Sequence, residues 1–208
     1  MLSYNLIRSL KKKFSSMVVR EIIESLFSDK VSRIEVKDKN LKFIINLLDR
    51  LDLYTIVSET KYLATSDANK GGFSSSFGKK VPIEYPDGFF KVFLGKKKKL
   101  VLQAYYHDFN GNDKLLGKLL KIPLCCVNNF NKKTLKFHKF QNDRYLDYIS
   151  TSKSIHIKKY QNIASQYFGY GLISYYPCKT NCLSTLKIIK KNQNLLKKIN
   201  TKLFSEFE

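Results

Sequence analysis

Phe89-Phe90-Lys91-Val92-Phe93-Leu94, the basic turn Gly95 to Lys99, and Leu100-Val101-Leu102-Gln103-Ala104-Tyr105-Tyr106 form the stretch on which the fold class turns. Two apolar runs of strand length flank a short loop that opens on glycine, which predicts a β-hairpin. Lysines at its tip would keep such an edge from pairing with other chains. Upstream, Leu2, Leu6, Leu10 and Phe14 recur every four residues, and Val19, Ile22, Ile23, Leu26 and Phe27 share one helical face. A strand is expected at Ile34 to Val36, a helix from Leu41 to Leu51, and a strand from Tyr54 to Leu63. Ser66, Gly71, Gly72, Ser74, Ser75, Ser76 and Gly78 read as a flexible connector over Thr65 to Lys80, matching neither a P-loop nor a dinucleotide fingerprint.

Downstream of residue 107 the pattern turns helical. Asn112 or Asp113 can cap a helix bearing Leu115, Leu116, Leu119 and Leu120. Pro123 interrupts it before Cys125-Cys126-Val127. Short helices are expected at Arg144 to Ile149 and Ile163 to Phe168. A long terminal helix is expected from Asn181 to Phe204, with Cys182, Leu186, Ile189, Leu196, Ile199 and Leu203 on its inner stripe. The fold class is therefore α+β: a small antiparallel sheet with an N-terminal helical part and a helical C-terminal cysteine module. The divisions are residues 1–64, a helix/strand region, 65–80, a Gly/Ser loop, and 81–208, the hairpin with the cysteine module, which together can form one continuous domain.

With 43% hydrophobic and 13% aromatic residues the chain can build a core and is not disordered by composition. It has no apolar run long enough for a membrane helix. The net charge of +21 comes from 33 Lys and only 5 Arg. Lys, Asn, Ile, Phe and Tyr together are the pattern of an AT-rich genome, so composition bias and a selected polyanion surface are both open readings. The lysines are concentrated against an acid-free background from Tyr148 to Ser205. Met1 to Met17, with Arg8, Lys11, Lys12 and Lys13, reads as a basic amphipathic helix in preference to a transit peptide. Without a secretory signal the expected compartment is the reducing cytoplasm, where structural disulfides are disfavoured.

Four cysteines occur, none before residue 125. Cys178 and Cys182 stand four apart, so within one helical turn their side chains are neighbours, and a helix N-terminus favours thiolate. Adjacent residues on a regular helix point about 100° apart, so Cys125 and Cys126 share an ion only if the chain bends at Pro123; otherwise one binds and one packs. The candidate ligands are Cys125, Cys126, Cys178 and Cys182, with His107 (or His138 or His156) as a histidine completing a Cys3His set. Zinc and an iron–sulfur cluster are both compatible with these donors. Buried packing and thiol redox chemistry are the alternatives.

Gly117-Lys118-Leu119-Leu120-Lys121-Ile122-Pro123-Leu124-Cys125-Cys126-Val127-Asn128-Asn129-Phe130 resembles a G-x-L-L-G-Y-P-x-C-C-V-x-x-F signature. Ser174-Tyr175-Tyr176-Pro177-Cys178-Lys179-Thr180-Asn181-Cys182 resembles S-H-x-P-C-x-x-x-C. Both belong to an uncharacterised archaeal and bacterial family of unknown function, and the resemblance spans about Asp113 to Ile188. It implies that the two cysteine pairs form one module. Lys121 stands where the signature has its second glycine, and Tyr175 where it has histidine, which puts in doubt any role of that histidine here.

Elsewhere, His107-Asp108 is a possible acid/base pair, though a loop-capping role is the preferred reading. A second functional reading is a basic nucleic-acid-binding protein. It would use Lys158, Lys159, Lys187, Lys190 and Lys191, with tyrosines interleaved between Lys158 and Tyr176 to stack bases. A third is docking on an acidic protein partner.

Overall fold

The computed structural model describes residues 4–66, 74–137, 172–179 and 181–199. The chain opens with α1 (Tyr4–Lys13) and α2 (Ser16–Phe27). Ser15 separates them, its hydroxyl accepting the Val18 N–H at 3.4 Å as an N-cap. β1 (Ser32–Lys37) runs straight into α3 (Asp38–Arg50), whose first turn carries Asp38 where the helix dipole favours an acid. Then follow β2 (Tyr54–Val57), β3 (Lys61–Ser66), β4 (Ser74–Val81) and β5 (Phe89–Gly95). The last described elements are α4 (Lys98–Phe109), α5 (Asp113–Leu119), α6 (Leu124–Phe137) and α7 (Leu183–Ile199).

β5 is the centre of an antiparallel sheet. β1 pairs along it from Ser32 opposite Leu94 to Lys37 opposite Phe89. Its other edge is shared end to end by β2 (Tyr54 opposite Gly95) and β3 (Tyr62 opposite Phe89), and β4 pairs outside β3. Alternation along β5 then decides two cores. Phe90, Val92 and Leu94 face one way and join Ile34, Val36, Ile22, Ile44, Leu48 and the α1 residues Ile7 and Leu10. Ile189 and Leu196 of α7, with Leu172 and Ile173, complete that cluster. Phe93 faces the other way and packs with Val31, Val101, Ala104 and Leu116. The α+β class is as expected.

Three expectations are corrected. Residues 100–106 are not the second arm of a hairpin but part of α4. Val101 and Ala104 are buried three apart while Leu102 and Tyr106 are exposed, which is helical and not strand periodicity. Leu, Gln and Ala are good helix formers, and Gly95 lets Val101 pack close, since a Cβ there would lie 3.3 Å from Val101 Cγ2. The strand expected from Tyr54 to Leu63 is two strands, broken where the Ser58 hydroxyl donates to the Thr60 carbonyl at 2.7 Å. The connector expected over 65–80 is largely β-structure: Ser66 pairs with Ser74 and Thr65 with Ser75. Backbone pairing overrides the Gly/Ser composition, and only 67–73 fall outside the described residues.

The helices expected at Arg144 to Ile149 and Ile163 to Phe168 lie outside the described residues, as do His138, His156, Lys158 and Lys159. Among the described residues no helix is long and apolar enough to cross a membrane.

A buried ionic cluster ties the N-terminal helices to the C-terminal module. Arg20 contacts Glu21 at 2.9 Å and Glu24 at 2.8 Å, and Lys30 contacts the same two acids at 2.7 and 2.5 Å. Arg20 Nη1 also donates to the Leu172 carbonyl at 2.9 Å, which accepts a second bond from Asn192 Nδ2 at 2.9 Å. Those two donors fix the strand of chain that leads to Cys178.

Candidate metal centre

The first cysteine pair is delivered by a helix stop and a helix start. Asn112 caps α5, accepting the Leu115 N–H at 3.2 Å. The helix ends in a Schellman motif: the Ile122 N–H reaches the Gly117 carbonyl at 2.9 Å and the Lys121 N–H reaches Lys118 at 3.1 Å. Lys121 takes the left-handed position of that motif, with φ 55°. Pro123 cannot continue the helix, and its carbonyl accepts the N–H groups of Cys126 (2.8 Å) and Val127 (3.0 Å), opening α6. Cys125 and Cys126 therefore stand in the first turn of α6. Gly117 allows the two helices to close up, because a Cβ there would lie 2.6 Å from Val127 Cγ2.

The second pair comes from the approach to α7. Pro177 is buried, and the Cys178 N–H donates to Cys126 Sγ at 3.3 Å. The Cys182 carbonyl accepts the Leu186 N–H at 3.0 Å, which makes Cys182 the N-cap of α7. Cys178 and Cys182 do not share a helical turn, as their spacing suggested. One lies in a bend before the helix and the other caps it.

The four sulfurs converge. Cys182 Sγ is 3.7 Å from both Cys125 Sγ and Cys126 Sγ, Cys125 and Cys126 are 3.9 Å apart, and all four sulfurs lie within 4.8 Å of one another. Both members of the adjacent pair join the cluster. Neighbouring Cα atoms are about 3.8 Å apart, so two adjacent side chains at a helix start span such an edge without distortion. Cys126 and Cys182 are buried, Cys178 is half-buried and Cys125 is exposed.

A single ion bound by four thiolates at about 2.3 Å requires sulfurs about 3.8 Å apart, the edge of a tetrahedron of that radius. The three edges among Cys125, Cys126 and Cys182, at 3.7–3.9 Å, meet that requirement, and Cys178 Sγ lies within 4.8 Å of each. No known protein family, curated protein or solved structure matches the chain. The geometry of the site therefore carries the functional argument alone.

The electrostatics suit a cation. Burial pushes the Cys126 thiol well above its ordinary value, and the neighbouring Cys178 and Cys182 sulfurs add to the rise. Cys178 is pushed up to about 11 by burial, with Cys182 and Cys125 adding to the rise. Burial also opposes ionisation of Cys182. Hydrogen bonds from the Thr185 hydroxyl and backbone N–H, and from the Cys178 and Cys125 thiols, outweigh it and bring Cys182 down to about 7. Thiolates this close repel one another, and a divalent cation among them reverses the balance.

Thr185 is the site residue that sequence reading missed, and Tyr175, noted there only as standing where the signature has histidine, joins it. Thr185 is buried three residues after Cys182, its Oγ1 3.5 Å from Cys126 Sγ. The Tyr175 hydroxyl donates to Thr185 Oγ1 at 3.3 Å, leaving the threonine proton for sulfur. Such outer partners fix ligand orientation. A polar residue at helical spacing on an apolar stripe was the available signal.

His107 is not among the converging ligands. It lies in the last turn of α4, its ring 5.7 Å from that of Tyr106 and its carbonyl accepting the Asn112 N–H at 2.8 Å. Asp108 does not act as its partner: that carboxylate bridges Arg33 and Lys91, the latter at 2.9 Å, and pins α4 to the sheet. Of the candidate nucleic-acid-binding lysines, Lys187, Lys190 and Lys191 are exposed on α7.

Proposed function

We propose that the chain is a metal-binding protein that holds one tetrahedral ion, zinc, through Cys125, Cys126, Cys178 and Cys182. The convergence of four sulfurs within 4.8 Å of one another, three of them with mutual edges of 3.7–3.9 Å, carries this reading. Iron–sulfur clusters place their cysteines on different irons, which spreads the sulfurs further than a common ion does, so the spacing favours a single ion. Four protein ligands leave no open position for a substrate, which is the pattern of a structural site. Bound there, zinc supplies a redox-inert crosslink between the starts of α6 and α7.

Anaerobic purification followed by metal analysis and a visible spectrum tests the reading. One zinc per chain and no colour is the expected result, with loss of the metal in Cys126→Ser. Stoichiometric iron with visible absorption replaces zinc by iron. A colourless protein without stoichiometric metal removes the proposal.

The resemblance to the uncharacterised archaeal and bacterial family belongs to this reading. It is supported by the left-handed backbone at Lys121, the position where the signature has glycine, and by the meeting of the two signatures' cysteines in one cluster.

A further inference from the structure

We propose that α7 is a docking face for the phosphate backbone of nucleic acid. The helix is two-sided. Cys182, its N-cap, and Thr185, Ile189, Asn192 and Leu196 follow at alternating three- and four-residue steps and are buried. Lys187, Lys190, Lys191 and Lys198 are exposed on the other side. Lys187, Lys191, Asn194 and Lys198 are spaced four, three and four apart, so they form one row about 16 Å long at 1.5 Å per residue. None of these four lysines forms an ion pair among the described residues.

The positive field comes from missing acids more than from surplus lysine. Residues 1–113 carry 20 Lys and Arg against 13 Asp and Glu, whereas residues 114–208 carry 18 against 4. A compositional bias toward lysine acts along the whole chain and does not strip carboxylates from one part of it. Among the described residues no acid follows Asp113, so α6 and α7, the two helices that meet at the cysteines, carry eight lysines and no carboxylate.

The residue types choose the partner. A protein interface is anchored by buried aromatic or aliphatic side chains. The outer face of α7 beyond exposed Leu183 offers lysine, asparagine and serine instead. Lysine is a point charge without the planar fork that reads guanine, and α7 has no arginine. Contacts of this kind hold the phosphate backbone and carry no sequence information.

The test is anisotropy titration of the full chain against two mixed-sequence 24-base-pair duplexes between 50 and 200 mM salt. Four phosphate contacts give a log–log slope of about −3.6, so affinity falls about 150-fold over that range, equally for both duplexes. The variant K187Q/K190Q/K191Q/K198Q is expected to lose most of the affinity and of the slope, and K187Q/K191Q to lower the slope by about 1.8. The control K96Q/K97Q/K98Q/K99Q removes as many charges from the β5–α4 turn and the start of α4 and should leave both unchanged. Circular dichroism of each variant checks folding. The proposal is overturned if wild type does not bind at 50 mM salt, if the α7 variants bind as wild type does, or if the control weakens binding equally. It is also overturned if one duplex is preferred tenfold, or if polyglutamate of equal charge competes as well as duplex, which assigns the face to acidic proteins. Metal content is read on the same samples. A chain that binds duplex through α7 without metal refutes the zinc reading alone, and one that holds zinc without binding duplex refutes this proposal alone.

Discussion

Substituting Gly117 by alanine tests whether the packing of α5 on α6 sets the metal geometry. The new Cβ would lie 2.6 Å from Val127 Cγ2 and 3.3 Å from Cγ1, against an optimum near 3.5–4.0 Å, a shortfall of about 1 Å. Val127 is buried and β-branched, so it cannot swing aside, and the start of α6 must move. Overpacking costs about 1–3 kcal/mol, while alanine in place of a helical glycine returns up to about 1 kcal/mol. The net loss of stability is about 0–3 kcal/mol. The metal site should suffer more, because Cys125 and Cys126 immediately precede Val127, and a displacement of about 1 Å exceeds the roughly 0.2 Å tolerance of metal–ligand distances. Affinity should fall at least about tenfold, equivalent to about 1.4 kcal/mol. Competition with a chromogenic zinc chelator measures this, with urea unfolding of the metal-free protein alongside. The double variant G117A/V127A removes the clash and should recover affinity although it leaves a smaller core. Wild-type affinity in G117A, or no recovery in the double variant, would refute the argument.

Lys121→Gly should stabilise the protein by about 1 kcal/mol in urea unfolding, because a side chain with φ 55° is strained and glycine is not; equal or lower stability contradicts this. Burial opposes ionisation of Glu21, but Lys30 and Arg20 outweigh it and hold its carboxyl at about 2, below the ordinary 4.5. The unfolded chain then binds more protons in that interval, so stability should be full above about pH 4.5 and fall as pH drops toward 2; Glu21→Gln should flatten that part of the profile. Asp108→Asn leaves Arg33 and Lys91 facing each other without their shared acid and should cost about 2–4 kcal/mol, with thermal unfolding as the measurement.

Much of the N-terminal half was legible because its signals are local. The stripe Val19, Ile22 and Ile23 and the alternation of Ile34 and Val36 each carry one period, and the sheet and helices satisfy both. Residues 100–106 were not legible. Two apolar runs around a glycine suit either a hairpin or a strand followed by a helix, and the decision rests on Gly95 admitting Val101. Arg20, Glu21 and Glu24 were invisible as a group because Lys30 and the Leu172 carbonyl, their partners, come from other elements. The cysteine site was half legible. Spacing located the four residues, but the role of Cys182 as a cap and the inclusion of both Cys125 and Cys126 depend on a helix stop at Lys121 that no periodicity announces.

The ion proposed at the cysteine cluster would also close a ring. Cys126 and Cys178 are 52 residues apart, so one ion held by both turns that length of chain into a loop with no free end. By the chain-entropy argument used for disulfides, pinning a loop of that size removes about 4 kcal/mol of freedom from the unfolded ensemble. That is a large share of the roughly 5–15 kcal/mol by which a domain is usually stable. The lysine row begins five residues beyond the knot, at Lys187. Chelation would thus act at a distance. It would hand slack to the whole ring, and the tail beyond Cys182 would keep its place by what Ile189 and Leu196 bury and by the Asn192 bond to the Leu172 carbonyl.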